Sequence, residues 1–554
     1  MNFCRTLRRG MRPSESNFSS RTYRIRFPLV IIFLPCLTIL GQVVKSSDAK
    51  RNQAVSQAGV RTPQATQKSE DVDPGHRSPE IQNLILEVNA APPEIAVDAL
   101  IRIAESKNVS SRTWKKEILE NAFQLTSKAI QQVKRKNNPS INLSADTSAN
   151  YLSHAFDRKL DALSLRIRVI KAMLTVDKRR AREMFEEISP KLPLPPLTCE
   201  DTLVYDVSDY YELIGDIANS TFNEEEMREG TAARFIRTYI DAISSPSQIA
   251  PAIKMISSVK ISRDDFVFLA QGLIKAVSGL PVDDRSFTYA VSNDDLTGNI
   301  HQFEQALEKK GPYLVKELLD TYRTYLQGSM SGPRCAENTV TDETKTPRYI
   351  QQANYELFSS SPLKFDEIRQ GEVSGRATVS EYWKTPEAER LLDLFKDLRF
   401  TPVKRSSGGN DPSEENASGA VVEERFKPTT DAEKESLEWQ TKFREFLTAL
   451  EGWEGDHEKS KLDYFNQQEV LYRQLLNIVP RGPIRIEAFR SWIKSLSNND
   501  LGESDRIQFY LYVYYLSEAA SSSSPEEREE ILRLMSYSNN PAISTCGKLA
   551  RLQI

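Results

Sequence analysis

The stretch LPLPPLTCEDTLVYDVSDYY, Leu192–Tyr211, holds the densest set of reactive side chains in this 554-residue chain. Cys199, Glu200, Asp201, Tyr205 and Asp206 fall within eight positions, with Asp209, Tyr210 and Tyr211 close behind. Neighbouring carboxyls can do acid–base work when burial drives their pKa values apart, and tyrosines can line a glycan or peptide groove. Glu200, Asp201, Tyr205 and Asp206 are therefore the candidate pocket residues. The competing reading is a corner between helices. Pro193, Pro195 and Pro196 cannot extend the helix that carries Phe185 and Ile188. Thr198 or Glu200/Asp201 would then cap the next helix, with Leu203, Val207, Tyr210, Tyr211 and Ile214 as its packing face.

Other acid pairs recur at Asp264/Asp265, Asp283/Asp284 and Asp294/Asp295. They stand where helices should begin, and acids there stabilise the positive end of the helix dipole. SNDDLTGN, Ser292–Asn299, is rich in oxygen donors but lacks the ligand spacing and closing glutamate of a calcium loop. The four histidines, His76, His154, His301 and His457, are far apart, with no H-E-x-x-H and no C-x-x-C. Phosphate-binding glycine loops and the G-x-S-x-G nucleophile turn are missing as well. No catalytic residue, cofactor or metal site is expected.

Charge is unevenly distributed. The net formal charge is -4, yet residues 1–47 carry eight Lys or Arg against Glu15 alone, which leaves the remainder near -11. An acidic body disfavours nucleic acid as a partner, because phosphate binding draws on clustered Lys and Arg. The basic flank precedes RFPLVIIFLPCLTILGQVV, an apolar run of about 17 residues followed by a polar segment, the layout of a secretory signal or a single membrane anchor. Either version keeps the basic flank inside and exports the body, and confines membrane contact to the N-terminal segment. Cys4 and Cys36 fall in that segment. In an exported chain, Cys199, Cys335 and Cys546 invite one disulfide and one free thiol. Three pairings are open, and three buried free thiols are the alternative. Cys199 and Cys335 both follow long helices in loop sequence, so their pairing is the expectation, with Cys546 left over.

The elements that would position these groups are helical almost throughout. Ser78–Pro79 reads as an N-cap and first helical residue. Ile118, Ala122, Leu125, Ala129 and Val133 form one stripe, and Phe156, Leu160, Leu163, Ile167, Ile170 and Leu174 a second, longer helix. Asn223 followed by three glutamates predicts a capped start, and Ser524 with Glu527 a capping box. RIQFYLYVYYL, Arg506–Leu516, is apolar nearly all round and reads as a central buried helix. With no period-two runs of β-branched residues, sheet is not expected. The Gly-, Ser- and Asn-rich stretch Ser406–Glu435 is the strongest internal break.

The predicted fold is all-α: a helix-turn-helix array or irregular α-solenoid, as one body or two helical domains. Residues 1–44 read as signal peptide or anchor and 45–77 as a disordered tether. Residues 78–400 read as stacked helix pairs, 401–430 as a flexible linker or long loop, and 431–554 as a C-terminal helical domain. VDKRRAREMFEEI, Val176–Ile188, resembles half of a tetratricopeptide-type unit in its Ala/Phe spacing, though no repeat period is sustained. The whole layout resembles exported bacterial α-helical, repeat-like proteins of uncharacterised families, a resemblance that implies no activity and no functional residue. The reading is a periplasmic or extracellular protein that works by contact with a partner protein or envelope polymer. The alternative is an enzyme whose dispersed carboxylates act on envelope glycan or peptide.

Overall fold

Proline opens helix after helix, because its missing N–H and fixed φ cost nothing in a first turn. In the computed structural model it stands at the start of Pro79–Val88, Pro93–Glu105, Pro386–Arg399, Pro483–Asn498, Pro525–Ser536 and Pro541–Arg551. The structure describes residues 77–137, 148–197, 201, 203–331, 338–340, 346–364, 368–370, 385–402, 426–454, 461–499, 501–502 and 505–554. Elsewhere short polar side chains close the helix starts. Ser111 accepts from the Trp114 N–H, Asp177 from Arg180 and Ser262 from Asp265, while Asn223/Glu226 and Ser524/Glu527 form complete capping boxes. The fold is an all-α helical array.

The segment 1–44, the tether up to residue 76, and both Cys199 and Cys335 lie outside the described residues. No described helix is long and apolar enough to cross a membrane.

Two expectations change in detail. The long helix read through Phe156–Leu174 is two, Ser148–Asp157 and Ala162–Val176. Lys159 adopts φ 55°, and Asp161 turns its carboxylate to accept the Ser164 N–H at 3.0 Å, starting a new helix in place of the old one. The apolar stripe survives the break because Phe156, Leu160, Ile167 and Ile170 are all buried. Among the described residues strands also occur, as three antiparallel ribbons of three-residue strands: β1 (Arg135–Asn137) with β2 (Leu203–Tyr205), β3 (Asn338–Val340) with β4 (Ile368–Gln370), and β5 (Phe400–Pro402) with β6 (Phe426–Pro428). Strands this short pair through backbone alone and leave no period-two signature.

Spatial order departs from chain order. The Arg348–Glu356 helix packs on Leu296–Lys310, then the line of contacts runs through Ile249–Ser258, Ser208–Thr221 and Ala162–Val176 to Pro93–Glu105. From Pro93–Glu105 it continues into the end of the chain: Pro541–Arg551, Pro525–Ser536, Pro483–Asn498, Leu437–Glu451 and Pro386–Arg399. An early helix thus occupies the middle of the array, and it is buried on nearly every side from Glu94 to Ala104. Arg506–Ser521, the segment read as a central helix, lies against Pro541–Arg551 and Ser148–Asp157 and is buried almost all round. The main hydrophobic core runs without a gap from Ile81 to Leu549 within the unit Asp71–Ile554. At 401–430, the pairing of Phe400 with Pro428 closes the segment at its base. Pro386–Arg399, placed by sequence among the earlier helices, packs instead with the later ones.

Candidate functional site

The corner at Leu192–Tyr211 is built by the β1–β2 ribbon, in which Arg135 lies opposite Tyr205 and Lys136 opposite Val204. Leu203 is therefore a strand residue, and the following helix begins only at Ser208. Thr198 and Glu200 lie outside the described residues, and Asp201 does not cap that helix. Asp206 is nearer its start, accepting the Ser208 N–H at 3.3 Å. Pairing of distant backbone segments replaced the helical turn expected here.

The ribbon sets three consecutive cations against the acids. Lys134 Nζ lies 2.9 Å from Asp206, and Lys136 Nζ lies 3.8 Å from Asp206 and 3.2 Å from Asp294. Arg135 pairs with Asp201 at 3.3 Å and lies over the Tyr205 ring, 5.1 Å from its centroid. The Tyr205 hydroxyl donates to the Pro195 carbonyl at 3.0 Å, and Lys136 also faces the Tyr289 ring at 4.5 Å. Burial alone would raise the Asp206 carboxyl, but Lys136 and Lys134 outweigh it and hold it at about 2. For Asp294 burial outweighs the pull of Lys136 and the carboxyl is raised, with the neighbouring Asp206 charge acting in the same direction. Both lysines are raised despite burial, which works against their charge.

The structure thus brings together Asp201, Tyr205 and Asp206, each engaged within the fold. Tyr210 and Tyr211 are core residues. Tyr210 packs on Phe185 and Tyr239, and the Tyr211 hydroxyl accepts from Gln248 at 3.1 Å. Asp264 and Asp265 stand in a first helical turn, and Asp295 caps Leu296–Lys310 by accepting the Gly298 N–H at 3.2 Å. Asp284 is buried, takes the Ser245 hydroxyl and the Ser286 N–H, and is raised by that burial. His154 lies 3.7 Å from Asp157, and His301 bonds Glu304 and Gln305. His76 and His457 lie outside the described residues. Among the described residues no group of three His, Cys, Asp or Glu converges as a metal site would require. Cys546 is free and buried, and burial pushes its thiol up to about 12.

Sequence reading missed two polar cores. Glu94 is fully buried and accepts from the Ile130 N–H at 2.8 Å, from Arg506 at 3.1 Å and from the Tyr510 hydroxyl at 3.3 Å. One turn on, Asp98 takes Arg168 and the Tyr514 hydroxyl. Two acids at i,i+4 within the mostly apolar run Pro93–Ile101 were the available signal. The second core lies on Lys461–Ile478, where the consecutive polar residues Asn466, Gln467, Gln468 and Glu469 are all buried. Tyr512 donates to Asn466 at 3.1 Å, and the Trp492 indole N–H donates to Glu469. Burial raises the Glu469 carboxyl to about 8, and its second oxygen has no hydrogen-bond partner.

No protein-family model matches the chain, and no curated protein matches it. Among solved structures it is similar to a circular tandem repeat protein with novel repeat topology and enhanced subunit contact surfaces. That match has 12% identity, covers 86% of this chain and 98% of the other, and has a TM-score of 0.16. At so low a TM-score nothing is carried across from it.

Proposed function

We propose that this chain is an exported, helical-repeat-like protein of the bacterial cell envelope that works by contact, binding a partner protein or an envelope polymer. The observation that supports contact over catalysis is the state of Asp206. A general acid or base works best with a pKa near the operating pH. A carboxylate held at about 2 by Lys136 and Lys134 keeps its negative charge throughout the neutral range. Asp201 is likewise spent on Arg135. Export rests on the basic flank and apolar run of the N-terminal sequence.

Fractionation of the native cell, followed by sedimentation of the purified protein with isolated wall polymer, tests the reading. The chain is expected in the envelope fraction, bound to the polymer or to a cross-linked envelope protein, with no release of sugar or peptide fragments. Recovery in the cytosol, or fragment release abolished by Asp206→Asn, would overturn it.

A further inference from the structure

A groove of about 460 Å³ opens between the helices Lys461–Ile478, Pro483–Asn498 and Arg506–Ser521. Three charged side chains line it: Arg473, Arg485 and Glu518. Glu518 is already neutralised, since both its oxygens accept from the Arg158 guanidinium, one of them at 3.2 Å. The two arginines are not. Arg473 sits over the Tyr515 ring, its guanidinium carbon 3.7 Å from the centroid, a contact that does not consume its N–H groups. Arg485 gives one N–H to the Leu476 carbonyl at 2.6 Å and has a buried Nε with no partner. Among the described residues neither arginine forms a salt bridge to a carboxylate within 4.0 Å.

The rest of the wall suits an anion. Gln474 and Asn477, on the same helix as Arg473, line the groove too, and the fully buried Trp492 lies at its wall. Behind Trp492, burial raises Glu469 to about 8, so this carboxyl is mostly protonated at neutral pH; the acid that acts on Arg485 is Glu527. Burial lowers Arg485 below the ordinary arginine value, and nearby Arg481 acts in the same direction against Glu527. A guest anion would relieve that cost.

We propose that this groove binds the oxyanion of a small ligand, a carboxylate or a phosphate, with Arg473 and Arg485 as its cationic donors. Guanidinium forks match the paired oxygens of either group, and charge-assisted bonds of this type are about twice as strong as neutral ones. The site requires neither export nor a macromolecular partner, so it stands apart from the reading above.

Calorimetric titration of the full-length protein with inorganic phosphate, and separately with glucuronate, at low ionic strength tests it. The expected result is saturable binding of at least one anion. Arg473→Gln should weaken that binding roughly 10-fold or more, a loss of about 1.4 kcal/mol. Arg473→Gln gives up the stacking on Tyr515 and the attraction to Glu469 and Tyr512, so the melting temperature is measured beside the binding to show that the fold is intact. Arg485→Gln should weaken it as well, and Arg390→Gln, at an exposed position outside the groove, should leave it unchanged. Absence of saturation by both anions would overturn the proposal. So would wild-type binding by Arg473→Gln, or equal loss in Arg390→Gln, which would mark diffuse attraction to surface charge.

Discussion

Arg506 and Glu94, 412 positions apart, form an ion pair at 3.1 Å that ties the late helices of the chain to Pro93–Glu105. Glu94 has no solvent exposure, and its two oxygens take a guanidinium, a backbone N–H and a tyrosine hydroxyl. With Asp98 one turn later, it makes Pro93–Glu105 the joint between two runs of helices. Such buried acids add little net stability over an apolar replacement of the whole cluster, but removing one partner strands the others. They fix which helix docks where.

Glu94→Ala should therefore be among the costlier single changes in the protein. It leaves Arg506, the Ile130 N–H and the Tyr510 hydroxyl without their acceptor, and a loss of about 3–5 kcal/mol is expected. Urea unfolding measured beside the wild type checks this. A loss of unfolding free energy under about 0.5 kcal/mol would mean that the joint is held by apolar packing alone.

Glu469 should make the protein less stable in alkali. Its carboxyl is raised to about 8 by burial, against 4.5 when unfolded, so the folded state holds a proton that the unfolded state releases between those values. Stability is full below about pH 4.5, falls as pH rises, and reaches its floor above about 8. The span is on the order of 5 kcal/mol. Glu469→Gln keeps the shape and the acceptor for Trp492 while removing the titration. Its melting temperature should exceed that of the wild type at pH 8 and match it near pH 4.5.

Asp206 should act in the opposite sense. Burial opposes its charge, but Lys136 and Lys134 win and hold it at about 2, below the ordinary 3.8. That contribution is present above pH 4 and is lost as pH falls through 2, amounting to about 2 kcal/mol. Asp206→Asn should lose that amount at pH 7 and show a shallower decline between pH 4 and 2. Parallel acid-unfolding curves for the two proteins would refute the ion-paired corner.

Gly547→Ala tests the packing of Pro541–Arg551 on Pro525–Ser536. A Cβ at this position would come within 2.7 Å of both the Met535 Cβ and the Ser536 backbone nitrogen, and backbone cannot step aside as a side chain can. Despite the better helix propensity of alanine, a net cost of about 1–3 kcal/mol is expected. Thermal unfolding checks it, and a stabilised variant would show that the two helices are free to separate.

What could be read from the chain, and what could not, divides by range. The helices were legible wherever a local signal defined them: Ser524 with Glu527, Asn223 with its glutamates, and the apolar circumference of Arg506–Leu516. The break at Arg158–Asp161 was hidden because its stripe stays in phase on both sides. The corner was legible as a corner, but its prolines are not what ends the helix: Lys178–Glu186 stops before Ile188 and ahead of Pro193. Its chemistry was not legible. Lys134, Arg135 and Lys136 reach Asp201, Asp206 and Asp294 through a ribbon whose strands lie 66–70 positions apart, and three-residue strands carry no pattern.

Helical class and acidic charge follow from composition and local periodicity, because capping, proline placement and amphipathic spacing act within a few residues of one another. Tertiary structure alone decided that Pro93–Glu105 sits mid-array, that Asp206 is a salt-bridged anion, and that NQQE in Lys461–Ile478 faces inward. Each of those depends on which distant helix supplies the partner, and Coulomb attraction and burial operate through space, with no trace in the neighbouring sequence.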